Sequence, residues 1–105
     1  IIKDTSYNGL AKLILNNEKF DFIYIDGSHT AADVLTDAVM AFPLLNSGGM
    51  MIFDDYTWGF NLGDKPYIKT EPLKCPKYGI DAFGYVFNNL FKEILCTNQI
   101  GIMKL

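Results

Sequence analysis

One histidine and two cysteines are all that this chain of 105 residues holds of the side chains most often recruited for zinc, redox or thiol chemistry. Cys75 and Cys96 lack C-x-x-C spacing, and no secretory leader is recognisable, so free thiols in a reducing cytosol are expected rather than a disulfide. The cytoplasm is the corresponding localisation. A basic excess is missing too: the net charge is −3 and the pI is near 4.9. That balance argues against a phosphate-tracking surface, and nucleic acid is not an expected partner. No apolar run approaches the ~20 residues of a membrane span, so no membrane partner is expected either. Internal repeats, low-complexity tracts and linkers are absent, and the first residue is Ile1 rather than methionine.

What is present is a globular composition, half hydrophobic and 14% aromatic. The chain suffices for one modest core and one domain, or part of one. Its organising stretch is Phe20 to His29, FDFIYIDGSH. Phe22 to Ile25 form a short apolar run rich in β-branched and aromatic residues, as in a strand covered on both faces. Polarity changes abruptly at Asp26, and the only histidine, His29, follows one turn later. In open α/β sheets the ligand crevice lies outside the carboxyl ends of the strands, where this run delivers its acid and imidazole.

Before it, Ile1-Ile2 reads as a strand end, Lys3-Asp4-Thr5-Ser6 as a turn and helix cap, and Tyr7 to Asn17 as an amphipathic helix fraying at its two asparagines. After it, apolar residues from Val34 to Phe42 recur at helical steps, predicting a helix from about Thr30 that Pro43 ends near Ala41 or Phe42 with a tighter turn. Asn46-Ser47-Gly48-Gly49 should release the chain into a second strand, Gly49 to Phe53, which again ends in acid, Asp54-Asp55. Phe20 to Phe53 is thus expected as a right-handed βαβ unit with parallel strands. Tyr56 to Lys77 reads as a long aromatic loop, either a lid or packing against the sheet. A helix marked by Ile80 to Phe91 and two antiparallel strands, Lys92 to Thr97 and Ile100 to Leu105, close the chain. The pattern is α/β and doubly wound, finished by a hairpin.

Asp26 at one strand end and Asp54 and Asp55 at its neighbour form the chemical constellation. Converging carboxylates need a hard divalent cation such as Mg²⁺ or raised pKa values; alternatively, acids at strand ends simply cap helices or coordinate water. His29 is either a helix-start residue bonded to a local carbonyl or a base for a metal-held hydroxyl. Ser28 lacks the G-x-S-x-G elbow and a base, which argues against a hydrolase.

With FDFIYIDGSH, PLLNSGGMMIFDDYTW and QIGIMKL as fourth-strand, fifth-strand and closing-strand motifs, the chain resembles the C-terminal half of a class I S-adenosylmethionine-dependent methyltransferase. The resemblance is to the metal-dependent O-methyltransferases, the group that includes the macrocin and macrolide sugar O-methyltransferases. It implies a partial Rossmann-like sheet, strands three to seven of seven, with a C-terminal antiparallel hairpin. It further implies S-adenosylmethionine and a divalent metal as cofactors and a small-molecule hydroxyl as acceptor. By the same resemblance Asp26, Asp54 and Asp55 hold the metal and His29 is the general base. Asp4, Thr5 and Ser6 match the turn that contacts adenine, and Asp26 borders the cofactor. Asp55 stands where catechol-type relatives carry asparagine, which favours a sugar hydroxyl. The family's glycine-rich loop and ribose-binding acid have no counterpart, so residues 1–105 are expected to be an incomplete domain. A preceding segment or a homo-oligomer would then complete the sheet. A catalytically inactive fragment or interaction module is the competing expectation; a phosphoacceptor domain with an acidic Mg²⁺ pocket is a weaker third, because its acids fall in the reverse order.

Overall fold

The computed structural model describes residues 12–25, 30–57 and 72–105. Residues 12–15 are helical, and the helix stops at Asn17, whose φ of 56° is left-handed. The N–H of Glu18 bonds the Leu13 carbonyl and that of Asn17 the Ile14 carbonyl, a Schellman closure in which asparagine tolerates the left-handed position better than most residues. The expected end at the asparagines is therefore observed; the helix start and the Ile1-Ile2 strand lie outside the described residues.

Strand β1 (Phe20–Ile25) leads towards helix α1 (Ala31–Ala41), with Thr30 as an extended N-cap. Pro43 is tolerated in a short 3-10 turn, Phe42–Leu44, the tighter turn anticipated there. Two lysines satisfy the carbonyls left over at this helix end: Lys19 donates to the Pro43 carbonyl at 2.6 Å, and Lys104 to those of Phe42 and Leu45 at 3.2 and 2.9 Å. Strand β2 (Leu45–Phe53) starts four residues before the expected Gly49. Phe20 pairs with Leu45 but Phe22 with Met50, so the glycine segment becomes an irregularity inside the strand, with Gly48 at φ 83°.

Helix α2 (Pro76–Val86) begins and ends earlier than its apolar spacing suggests. Pro76 occupies the first turn, where its missing N–H costs nothing, and Pro72–Lys74 already form a 3-10 turn, which shortens the expected loop. At the other end a 3-10 turn, Asn88–Leu90, carries the apolar repeat onward, so Phe87, Leu90 and Phe91 lie outside the α-helix. Strands β3 (Phe91–Cys96) and β4 (Ile100–Lys104) complete a four-stranded sheet of order β1-β2-β4-β3. The β1–β2 pair is parallel, and the other two pairs are antiparallel. This is the partial Rossmann-like α/β sheet with a closing hairpin.

Alternate residues Ile23, Ile25, Met51, Phe53, Ile100 and Ile102 are buried in the core cluster with residues of α1 and α2. Phe83 is its hub, 5.6 Å from both Phe42 and Phe53 and stacked on Phe87 at 4.6 Å. The helices meet at Gly79, where any Cβ would strike the Ala31 carbonyl. Cys75 is buried and Cys96 exposed, and neither is in a disulfide. Among the described residues no helix is long and apolar enough to cross a membrane.

Candidate functional site at the carboxyl end of the parallel strands

The backbone N–H of Asp54 donates to the Ile25 carbonyl at 3.1 Å, extending the parallel ladder one step past Phe53. The chain leaves the sheet here through Asp55, whose φ of 58° is left-handed for a residue with a Cβ. Such a position costs roughly 1–2 kcal/mol, although aspartate is among the residues that tolerate it. Local bonds offset the strain. The Asp55 N–H donates to Asp54 Oδ1 at 2.8 Å, and the Tyr56 N–H to the Asn98 carbonyl at 2.7 Å.

The Asp54 carboxylate is gripped from strand β1, from the Asp55 N–H next to it and from the β3–β4 turn. Tyr24 donates its hydroxyl to Oδ2 at 2.5 Å, and Gln99 Nε2 reaches Oδ1 at 3.4 Å. Tyr24 is opposite Ile52 in the register, so its side chain shares the sheet face towards which Asp54 projects, two residues on. The β3–β4 turn supplies both Gln99 and Asn98, and Asn98 Oδ1 also accepts the Thr57 N–H at 3.0 Å. The orientation of the Asp54 carboxylate is set by these donors, as neighbouring groups commonly do for carboxylates that serve as ligands.

A second cluster ties this turn to α2. Tyr56 donates to Asp81 Oδ1 at 2.7 Å, while Lys77 donates to the Tyr56 hydroxyl at 2.9 Å and pairs with Asp81 Oδ2 at 2.6 Å. Burial, opposed by the Lys77 bond and reinforced by Asp81, raises the Tyr56 pKa above 10.0. The Asp81 hydrogen bond above all, with that to Tyr56, raises Lys77 well above 10.5. Lys77 and Asp81 stand at i, i+4, a spacing visible in the sequence; with Lys77 assigned to a loop, the pair was not expected.

Of the anticipated site residues, Asp54 and Asp55 are placed at the end of β2. Asp4, Thr5, Ser6, Asp26 and His29 lie outside the described residues. Among the described residues no group of three or more His, Cys, Asp or Glu is arranged to hold a metal. Tyr24, Asn98 and Gln99 are additions that the sequence reading missed. Only the strand alternation of Tyr24 against buried Ile23 and Ile25 hinted at one of them.

Residues 1–56, more than half of the chain, match the family described as "Methyltransferase domain", and the chain belongs to that family. No curated protein matches it. Among solved structures it resembles MycE methyltransferase from the mycinamycin biosynthetic pathway in complex with Mg, SAH and mycinamycin VI. There the TM-score is 0.67 and the identity 20%, over 98% of this chain and 30% of that one. It also resembles the O-methyltransferase NovP, with a TM-score of 0.59 and 15% identity over 83% of this chain and 30% of that one. The O-methyltransferase from Bacillus cereus in complex with SAH gives a TM-score of 0.58 and 17% identity, covering 92% of this chain and 46% of that one. The chain thus spans under half the length of these neighbours, and the likeness establishes the shared fold.

Proposed function

We propose that this chain is the C-terminal part of an S-adenosylmethionine-dependent methyltransferase that methylates a small-molecule hydroxyl with the help of a divalent metal. The observation that carries this reading is Asp54: in a chain of the methyltransferase-domain family, its carboxylate stands just past the end of a parallel strand pair, oriented by Tyr24 and the Asp55 N–H. The neighbours crystallised with SAH, and in one case with Mg, point the same way.

In the proposed reaction Asp54 and Asp55, with Asp26, would hold the cation. A divalent ion bound there supplies positive charge that makes the acceptor hydroxyl more acidic and positions its oxygen. His29 takes the hydroxyl proton. S-adenosylmethionine, when bound, would supply the methyl group from its sulfonium, a C–O bond forming to the acceptor oxygen as the C–S bond breaks and the thioether leaves. Asp4, Thr5 and Ser6 are assigned to the adenine end of the cofactor. Tyr24 and Gln99 hold Asp54 in one rotamer, so the catalytic contribution of the described residues is chiefly positioning and charge neutralisation.

Calorimetric titration of the full-length gene product with S-adenosylmethionine and Mg²⁺ tests the reading. Cofactor binding that is retained in Asp54→Asn, with Mg²⁺ binding and methyl transfer lost, is the expected result. Absence of cofactor binding by the full-length product overturns methyl transfer. Unchanged Mg²⁺ affinity in Asp54→Asn overturns the metal assignment alone.

A further inference from the structure

A cavity of about 340 Å³ opens where α2 overhangs the sheet. Phe53, Phe83, Ile100 and Ile102 make an apolar floor, and Tyr56, Tyr85 and Phe91 an aromatic rim. Among the described residues, the charged side chains lining it are two carboxylates, Asp81 and Glu93. Asp81 is already paired with Lys77, whereas Glu93, on exposed β3, has no ion pair among the described residues. The volume falls at the small end of clefts that take organic ligands, and an apolar floor with a few polar groups at the mouth is their usual construction.

A second feature concerns Gly84. Glycine weakens a helix interior and is normally retained there for close packing, as at Gly79 against Ala31. Gly84 has no such reason: a Cβ added there would meet only the edge of the Phe91 ring, at 3.8 Å. The side chain missing from position 84 is therefore part of the open volume.

We propose that this cavity, kept open by Gly84 and carrying Glu93 and Asp81 at its mouth, binds a small organic ammonium ion. The hydrocarbon body lies on the Phe53–Ile100–Ile102 floor, and the cationic head meets the Glu93 carboxylate and the rings of Tyr85 and Phe91, since Lys77 already lies over the Tyr56 ring at 4.8 Å. A neutral ligand of the same shape would forgo both attractions, and an anion would be repelled. This site uses none of the residues assigned to methyl transfer, so it stands or falls independently of that reading.

The test is a carbon–proton NMR titration of the full chain, labelled at isoleucine methyls, with phenethylammonium chloride, phenethyl alcohol and phenylacetate as probes. Saturable shifts of Ile100 and Ile102 are expected with the ammonium ion, about fivefold weaker binding with the alcohol, and still weaker binding with the acid, the scale of one exposed charge contact. Glu93→Gln should lower the ammonium affinity about fivefold without altering the alcohol's, because only the charge contact is removed. Gly84→Leu, which fills the cavity from the helix side, should abolish binding while melting at or above the parent temperature. Equal binding of alcohol and ammonium, an unchanged affinity in Glu93→Gln, retained binding in a folded Gly84→Leu, or no methyl shift at all would each overturn the proposal.

Discussion

On the helix-covered face of the sheet Ile23, Met51 and Phe53 are at most 1% exposed, whereas Tyr24 and Ile52, their neighbours in the same strands, are only half-buried, and Met50 is 37% exposed. Period-two alternation sends neighbouring side chains to opposite faces, so one pair of strands does two jobs. The covered face binds the helices. Tyr24, on the open face, instead orients the carboxylate at the strand end. Stability and chemistry are thereby separated by a single residue step along β1 and β2, and substitutions on the two faces should be read out by different measurements.

The largest expected effect is on the covered face. Phe83→Ala removes the ring about which Phe42, Phe53 and Phe87 are arranged and should cost about 3–5 kcal/mol, measured by urea denaturation. A loss below ~1 kcal/mol would mean that the aromatic cluster is looser than its geometry implies. Gly79→Ala comes next: its methyl group would collide with the Ala31 backbone, which cannot yield as a flexible side chain can, and a cost of roughly 1–3 kcal/mol is expected in the same measurement.

Tyr24→Phe sharpens the contrast, because it deletes one hydroxyl on the open face and leaves the core intact. Its unfolding free energy should fall by no more than ~1.5–3 kcal/mol, the range for a hydrogen bond to a charged group. If Asp54 ligates the metal, Mg²⁺ affinity in the full-length product should drop about 10–100-fold, as for other residues that orient a ligand. A stability loss with unchanged metal affinity would return Tyr24 to a purely structural role.

The smallest effect is at alkaline pH. Tyr56 is held neutral and Lys77 protonated in the folded chain, both with pKa values raised above their ordinary 10.0 and 10.5. Their contribution is complete below pH 10.0 and declines as the pH rises through the unfolded values towards the folded ones, since the folded state then binds more protons than the unfolded. Lys104 is shifted the other way by burial and by the nearby Lys19 charge, so its own contribution rises with pH just below 10.5 and partly opposes the decline. A Tyr56→Phe, Lys77→Met double variant should lose the alkaline decline and melt with a shallower pH dependence above pH 10.0; an unchanged profile would assign the decline to other groups.

Much of the fold was legible in residues 20–25, 30–57 and 91–105, where apolar runs of strand length end in acid or in a turn and where Pro43 halts α1 within a residue of its expected end. Two features were not. The N-terminal half of β2 contains Ser47, Gly48 and Gly49, which read locally as a turn, yet the pairs with β1 on either side of them, at Leu45 and Met50, enclose them as an irregularity within the strand. Helix α2 starts at Pro76 rather than near Ile80, because a first-turn proline is indistinguishable by periodicity from one that ends a loop. In the site, Asp54 and Asp55 were visible as acids following an apolar strand. Tyr24, Asn98 and Gln99 were not, since their roles depend on which strands become neighbours.

Local sequence alone determined the parallel crossover, the acidic strand end and the closing hairpin, because strand runs, helix stops and turns are set by interactions within a few residues of one another. Only tertiary structure decided the donors on Asp54, the tie between Tyr56 and α2, and the cavity beside Gly84. Each of these needs groups distant in the chain to arrive at hydrogen-bonding or van der Waals range, and that distance is settled by strand order and helix packing.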